Sequence, residues 1–368
     1  MRPWPPGGAA GWLGNVMTNA TASNEHEQVL LAHAELTERQ DRLAAASVGA
    51  LRGSGALALR TPVQYGGAWA DASASAIRLT EIGRACPSAA WIAGTCATAK
   101  TFFAQSFDEP IQKEYFADPD ALACGSGSPT AQGVREAGGV RVTGRWDSVS
   151  GCEDADWAQL ALMIDGAYHV MVVPVADLTV EQNWHMAGMR GTGSQRLVAD
   201  GLLVPTRQTA PAAPPQPQDR LFFAVCTLAT VVGATQGALN VVEDMFASAR
   251  KPFMTGYARM GESPGARHWL AEAARLVDRA EQTMLAVAHD SSRADLTELD
   301  RARLQMSLTG AASDCQEAVE RLLDLHGASG FRTTNALQRY WRDIAVGSRH
   351  PLLNPYLATE DLGTALVS

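Results

Sequence analysis

Two tryptophans and two serines crowd into one short stretch, Trp146, Ser148, Ser150 and Trp157 of GRWDSVSGCEDADW. Indole rings beside hydroxyls suit a flat, partly polar aromatic ligand. A sheet edge with its tryptophan in the core and its serines in a turn would read the same way. Further along, Gly188, Gly191 and Gly193 punctuate AGMRGTGS, where glycine lets backbone approach a ligand closely. Arg190, Thr192 and Ser194 add a cation and two hydroxyls, and Arg190 could equally cap a strand with an ion pair. A phosphate loop does not fit, because GxxxxGK[ST] is missing and no helical pattern follows these glycines. Near the end of the chain stands His350, in SRHPLLNP. An imidazole exchanges protons near neutral pH, and at a helix end it is also favoured by the dipole. There is no GxSxG elbow, no HExxH and no carboxylate–histidine cluster, so the sequence supports neither a hydrolase triad nor a metal site.

Such residues need elements to hold them. Val140 to Thr143 alternate out of Gly138-Gly139, a pair predicted to take positive φ at both positions of a hairpin turn. AQLALMI and AYHVMVVPV read as two strands around Asp165-Gly166, with His169 as a satisfied structural histidine. Strand signals run from about residue 121 to 205. Before them the pattern is helical over 25–51, over 72–84 and, after Pro87, over the nearly uncharged 88–103, which predicts burial. Trp91, Cys96, Phe102 and Phe103 there read first as core. PTRQTAPAAPPQPQDR, residues 205–220, is a Pro-rich linker. Beyond it, helices are expected over 228–250, from Ser263-Pro264, up to His326-Gly327, and over 335–346; their apolar stripes make a four-helix bundle.

GRWDSVSGCEDADW resembles the flavin-contacting strand of the acyl-CoA dehydrogenase superfamily, and most closely that of its two-component (group D) flavin monooxygenases. Three further blocks follow in the family's order: PVQYGG, then NWHMAGMRGTGS, then LHGASGF with ALQRYWRD. The resemblance covers roughly residues 26 to 350 and implies an α+β fold with three parts: an N-terminal helical domain (25–120), a β-barrel or sandwich domain (121–215) and a C-terminal four-helix bundle (216–368). Residues 1–24, rich in Pro and Gly, are expected to be a disordered extension. The implied cofactor is reduced FMN or FAD from a separate flavin reductase, with O2 as co-substrate and a C4a-hydroperoxyflavin as oxidant. Trp146, Ser148, Ser150, Arg190, Thr192 and Ser194 would hold the flavin. Arg250, Gly327 and Gly330 would reach the flavin of a neighbouring subunit in a homotetramer. Ser150 would lie near flavin N5, His350 would manage the proton, and Trp91, Phe102 and Phe223 would border the substrate. Further cavity wall is expected from residues 252–260.

The family's dehydrogenases carry a glutamate base near the position of His350, and no Glu follows here before Glu360. Hydroxylation of a phenol or polycyclic intermediate of secondary metabolism is therefore the leading expectation. N-oxygenation of an amine or amino sugar, acyl-thioester dehydrogenation and a flavin-free binding scaffold stand as alternatives. Asp324 and HGASG replace the family's Gln and Gly-Gly pair, which bears on recognition of an adenine half.

The 368 residues suffice for two or three packed units. Apolar residues at 46% and charged residues at 19% fit a globular chain, and a net charge of −9 disfavours nucleic acid or anionic membrane as partner. The six scattered cysteines show no CxxC pair and fit reduced thiols in the cytoplasm. No segment reads as an 18-residue apolar membrane span.

Overall fold

A computed structural model describes residues 25–212 and 217–368. The expected N-terminal extension and the middle of the Pro-rich linker lie outside the described residues. The helix expected over 25–51 is two. The first, α1, covers residues 25–39 and stops before Asp41, whose φ of 53° is left-handed. Thr37 Oγ1 then accepts the Ala44 N–H at 3.1 Å, and α2 (Ala45–Gly53) begins. Asp71 caps α3 (Ala72–Ala85) by accepting the Ala74 N–H. Pro87 opens α4 (Pro87–Ser106), and the short α5 (Glu109–Tyr115), not anticipated, follows.

The single cation of α4 anchors this helix. Lys100 is buried, and its Nζ donates to the carbonyls of Leu57 (2.8 Å) and Pro119 (2.7 Å) and to Thr61 Oγ1 (3.1 Å). All three protons are used, which offsets the desolvation that pulls its pKa down. Lys100→Met keeps the volume but strips three hydrogen bonds, leaving the Pro119 carbonyl only Thr61 Oγ1 and the Leu57 carbonyl only the weak Cys96 thiol. A loss of about 2–4 kcal/mol in urea unfolding is the expected result.

The middle domain, expected as a barrel or sandwich, is one seven-stranded mixed sheet in the order β5-β6-β2-β1-β3-β4-β7. Its strands are β1 (Ala123–Glu136), β2 (Gly139–Val149), β3 (Trp157–Ile164), β4 (Ala167–Pro174), β5 (Thr179–Glu181), β6 (Gln195–Pro205) and β7 (Thr209–Pro211). In the β1–β2 hairpin only Gly138 has positive φ, 92°, so the two-glycine expectation is corrected to one. Asp165 and Gly166 both take positive φ, as a tight β3–β4 hairpin requires. One cluster packs Trp146, Val140, Val142, Leu160 and Leu162 together, while α4 lies against β1.

Linker residues Thr209–Pro211 are recruited as β7 against β4. The next helix, α6 (Pro217–Ala247), starts well before Leu228 because Leu221, Phe222 and Phe223 are themselves buried. It is long and apolar enough to cross a membrane, which corrects the sequence reading, but its apolar stretch is buried inside the bundle. Ser263 caps α7 (Pro264–Asp290) and Thr297 with Asp300 forms a capping box on α8 (Glu298–His326). Asn335 caps α9 (Ala336–Gly347). A further helix, α10 (Pro355–Val367), packs on α8 outside the expected four.

Candidate active site

Between α4, the sheet and α6 lies a cavity of about 410 Å³. Along α4 it is lined by Trp91, Thr95, Thr98, Ala99, Phe102 and Ser106, successive turns of one helix face. Phe223, Cys226, Thr227 and Thr230 of α6 face them, and Gln159, Tyr168 and Val170 rise from the sheet. Phe102 and Phe223 meet with ring centroids 4.9 Å apart, and at the other end the Trp91 and His350 rings meet edge to face at 5.4 Å. No Asp, Glu, Lys or Arg is among the described residues lining the cavity.

Ser150 abuts the cavity behind Trp91 and begins a chain of hydroxyls. Trp91 Nε1–H donates to Ser150 Oγ at 3.2 Å. Ser150 and Ser194 Oγ are 2.8 Å apart, Ser194 Oγ and Thr192 Oγ1 2.7 Å, and Thr192 donates to the Met189 carbonyl at 2.8 Å. With a pure donor at one end and a carbonyl at the other, the protons can run only one way: Ser150 to Ser194 to Thr192. The Ser150 proton is thereby committed and its remaining lone pair presents an acceptor.

The loop carrying this chain is clamped on two sides. A Cβ on Gly188 would stand 2.1 Å from the Arg342 carbonyl, so only glycine permits the approach to α9. Asp343, wholly buried, accepts the Met189 N–H at 2.5 Å; burial raises its pKa to about 6 despite that bond. Arg190 pairs with Asp41 at 2.6 Å on the other side, both more than a third exposed. This is the ion-pair role open to it in the sequence, and Arg190 holds the loop to the α1–α2 break.

His350 follows α9 and faces the cavity. Its Nδ1 accepts the Leu352 N–H at 3.3 Å, which leaves the proton on Nε2. Burial pushes its pKa down to about 4. The ring is neutral at pH 7 and offers an N–H donor, where the sequence suggested a group titrating near neutrality.

Other expected site residues are placed differently. Trp146 is fully buried in the sheet cluster, its Nε1–H donating to the Ala161 carbonyl at 2.6 Å, so it packs the core and does not reach the cavity. Ser148 is exposed with φ 59°. Arg250, Gly327 and Gly330 gather away from the cavity, where Arg250 donates to the His326 carbonyl (2.5 Å) and Ser329 Oγ (2.9 Å). Residues 252–260 supply no cavity wall: Phe253 and Met254 are 91% and 89% exposed. Gln159, Tyr168 and Thr230 were missed. For Gln159 the available signal was one amide within the apolar strand AQLALMI.

Residues 15–116 match the acyl-CoA dehydrogenase N-terminal domain and residues 225–355 its C-terminal domain. A pigment production hydroxylase of Rhodococcus sp. (strain ATCC 21145) is 30% identical over 84% of this chain and 86% of its own length. This chain belongs to the two-component flavin monooxygenase branch of the acyl-CoA dehydrogenase superfamily. Another member, the oxygenase component of the FADH2-dependent resorcinol hydroxylase of Rhizobium sp. (strain MTP-10005), is 29% identical over 87% of each chain. XiaF from Streptomyces sp., solved with FADH2 and glycerol, superposes with a TM-score of 0.88 over 96% of each chain at 27% identity.

For a member of this branch, the residues present fit a reduced flavin. The free lone pair on Ser150 Oγ suits an N–H such as reduced flavin carries at N5. Ser148 is exposed nearby, and an apolar cavity adjoins for a second ligand.

Proposed function

We propose that this chain is the oxygenase component of a two-component monooxygenase that hydroxylates an uncharged aromatic compound. One observation carries the substrate class: the cavity is walled by aromatic and apolar side chains, with His350 at one end and no charged group among its described lining residues. A buried carboxylate or ammonium would meet no opposite charge there, at a cost of several kcal/mol. The same absence weighs against N-oxygenation of a charged amine, and the lack of a lining carboxylate base weighs against thioester dehydrogenation.

Bound reduced flavin would supply the two electrons that activate O2, one oxygen atom passing to the substrate and the other leaving as water. Ser150 would accept a hydrogen bond from it, with Ser148 and the 188–194 loop alongside. Ser194 and Thr192 fix which way the Ser150 proton points. His350 Nε2–H would donate to a substrate oxygen and steady its anionic form, a hydrogen bond worth about 1–3 kcal/mol. Trp91 and Phe102 would exclude water.

The flavin, FAD or FMN, would come from a separate reductase in the cytoplasm. Arg250, Gly327 and Gly330, remote from the cavity of their own chain, would complete a neighbour's flavin site in a homotetramer. The test supplies the protein with a flavin reductase, each flavin in turn and a panel of neutral phenols. The predicted product is heavier by one oxygen atom, derived from 18O2. Oxidation of acyl thioesters in place of oxygen insertion would contradict the proposal.

A further inference from the structure

His350 opens a short 3-10 turn, Pro351–Leu353, that two cavities flank. In front lies the cavity described above. Behind lies a second, of about 690 Å³, between α6, α8 and α10, lined by Leu221, Ala302, Gln305, Pro351 and Leu357 among others. Leu352 and Phe223 line both. Leu353 is buried in the core and fixes the far end of the turn. Leu352 has open space on either side, so its place depends on hydrogen bonds more than on packing.

Both backbone polar groups of Leu352 are used. Pro351 has no N–H, so the first donor after His350 is the Leu352 N–H, and His350 Nδ1 accepts it at 3.3 Å. That bond is at the long end of the ordinary range and does little by itself to hold a ring. On the other side, Gln305 Nε2 of α8 donates to the Leu352 carbonyl. Gln305 is buried, and its Oε1 has no partner among the described residues. An unpartnered buried amide oxygen costs stability, so what this glutamine supplies is its N–H. A second glutamine of α8, Gln316, donates to Ser348 Oγ at 2.6 Å. Ser348 also donates to the Ile344 carbonyl, which holds it at the end of α9 without Gln316. Gln305 acts on the residue that bonds the imidazole, and Gln316 does not.

We infer that Gln305 is a positioning residue for His350: by holding Leu352 it keeps Nδ1 occupied as an acceptor and aims Nε2–H into the substrate cavity. Without it Leu352 can turn toward either cavity, and the imidazole loses the partner that sets its tautomer. The inference rests on the reading that His350 Nε2–H donates to a substrate oxygen, but its test needs no flavin and no turnover. The other titratable groups among the described residues lining the front cavity, Tyr168 and Cys226, are pushed up by burial. Behind the turn, Arg220, Glu298, Arg301 and Asp361 line the second cavity, and the glutamine variants below leave these charges as they are.

Flavin-free protein is saturated with 4-nitrophenol across about pH 5–9, and the bound phenolate is read by its absorbance. An N–H donor at the phenol oxygen favours the anion. Wild type is therefore expected to half-ionise the bound phenol about one pH unit below His350→Leu, tenfold in the ionisation constant. Gln305→Met keeps the side chain's length and loses the donor, so it should forfeit at least about half of that difference, roughly threefold. Added to His350→Leu it should change nothing further, because it acts through the imidazole. Gln316→Met should match wild type. A Gln305→Met midpoint equal to wild type overturns the inference. So does an equal shift in Gln316→Met, which would mean general loosening, or a double variant shifted beyond His350→Leu. If His350→Leu itself matches wild type, or wild type does not bind the phenol, the His350 reading fails and the inference with it. A shift in His350→Leu without one in Gln305→Met ends the inference alone. Thermal melts identify any variant that has lost its fold, and Gln305→Leu is a second donor-free variant if Gln305→Met unfolds.

Discussion

Ser150→Ala is expected to raise the rate of unproductive flavin reoxidation by roughly 5- to 150-fold, the kinetic equivalent of about 1–3 kcal/mol for one buried hydrogen bond. The readout is hydrogen peroxide released per reduced flavin consumed, set against hydroxylated product. The direction of the hydroxyl chain sharpens this expectation. Trp91 donates into Ser150 and Thr192 donates out to Met189, so Ser150 presents a lone pair to the ligand. Ser194→Ala removes the next acceptor and frees the Ser150 proton to turn toward the ligand. It should therefore leak peroxide although Ser150 itself is intact. Ser150→Thr, which keeps the hydroxyl, should retain more of the coupling than Ser150→Ala.

The second large effect concerns stability against pH, where two groups act in opposite senses. His350 has a folded pKa of about 4, below the ordinary 6.5. As pH falls through that window the unfolded chain takes up the proton first, and the fold loses stability. Asp343 has a folded pKa of about 6, above the ordinary 3.8. There the folded state is protonated first, and falling pH stabilises it. Each contribution approaches about 3 kcal/mol between pH 7 and pH 4, so in wild type they largely cancel. His350→Gln unmasks the aspartate: relative to wild type it should gain about 3 kcal/mol on going from pH 7 to pH 4 in chemical denaturation. Asp343→Asn should shift the other way by a similar amount. In turnover, His350 is already neutral across pH 6–8, so an ionisation seen there belongs to the substrate or to another group.

Local signals were legible wherever the chemistry was local. Ser263 before Pro264, Asn335 before α9 and Gly327 after α8 mark helix ends, and each helix ends there. Asp165-Gly166 made the tight turn its residue types predict. The cavity residues Trp91, Phe102, Phe223 and His350 were also found, though through the family resemblance, since an uncharged helix alone reads as core. Trp146 shows why a strand pattern misled. Period-two alternation puts residues 146, 148 and 150 on one face. The β2–β6 register shifts between Trp146 and Val149, and Ser148 takes a left-handed φ. That irregularity turns Trp146 into the sheet core while Ser150 reaches Trp91. Asp41 likewise broke a helix that its apolar spacing made continuous. Gln159 and Thr230 line one cavity from a strand and a helix far apart in sequence, a meeting that no window along the chain contains.

The central claim, that this protein binds reduced flavin and controls its reaction with oxygen, is tested most directly by rapid mixing. Protein with anaerobically reduced FAD or FMN is mixed with oxygenated buffer while flavin absorbance is followed. A distinct absorbing phase is expected before oxidised flavin appears, slower to decay than for free flavin and shortened in Ser150→Ala. Reoxidation indistinguishable from that of free flavin, at protein in large excess over either flavin, would contradict it.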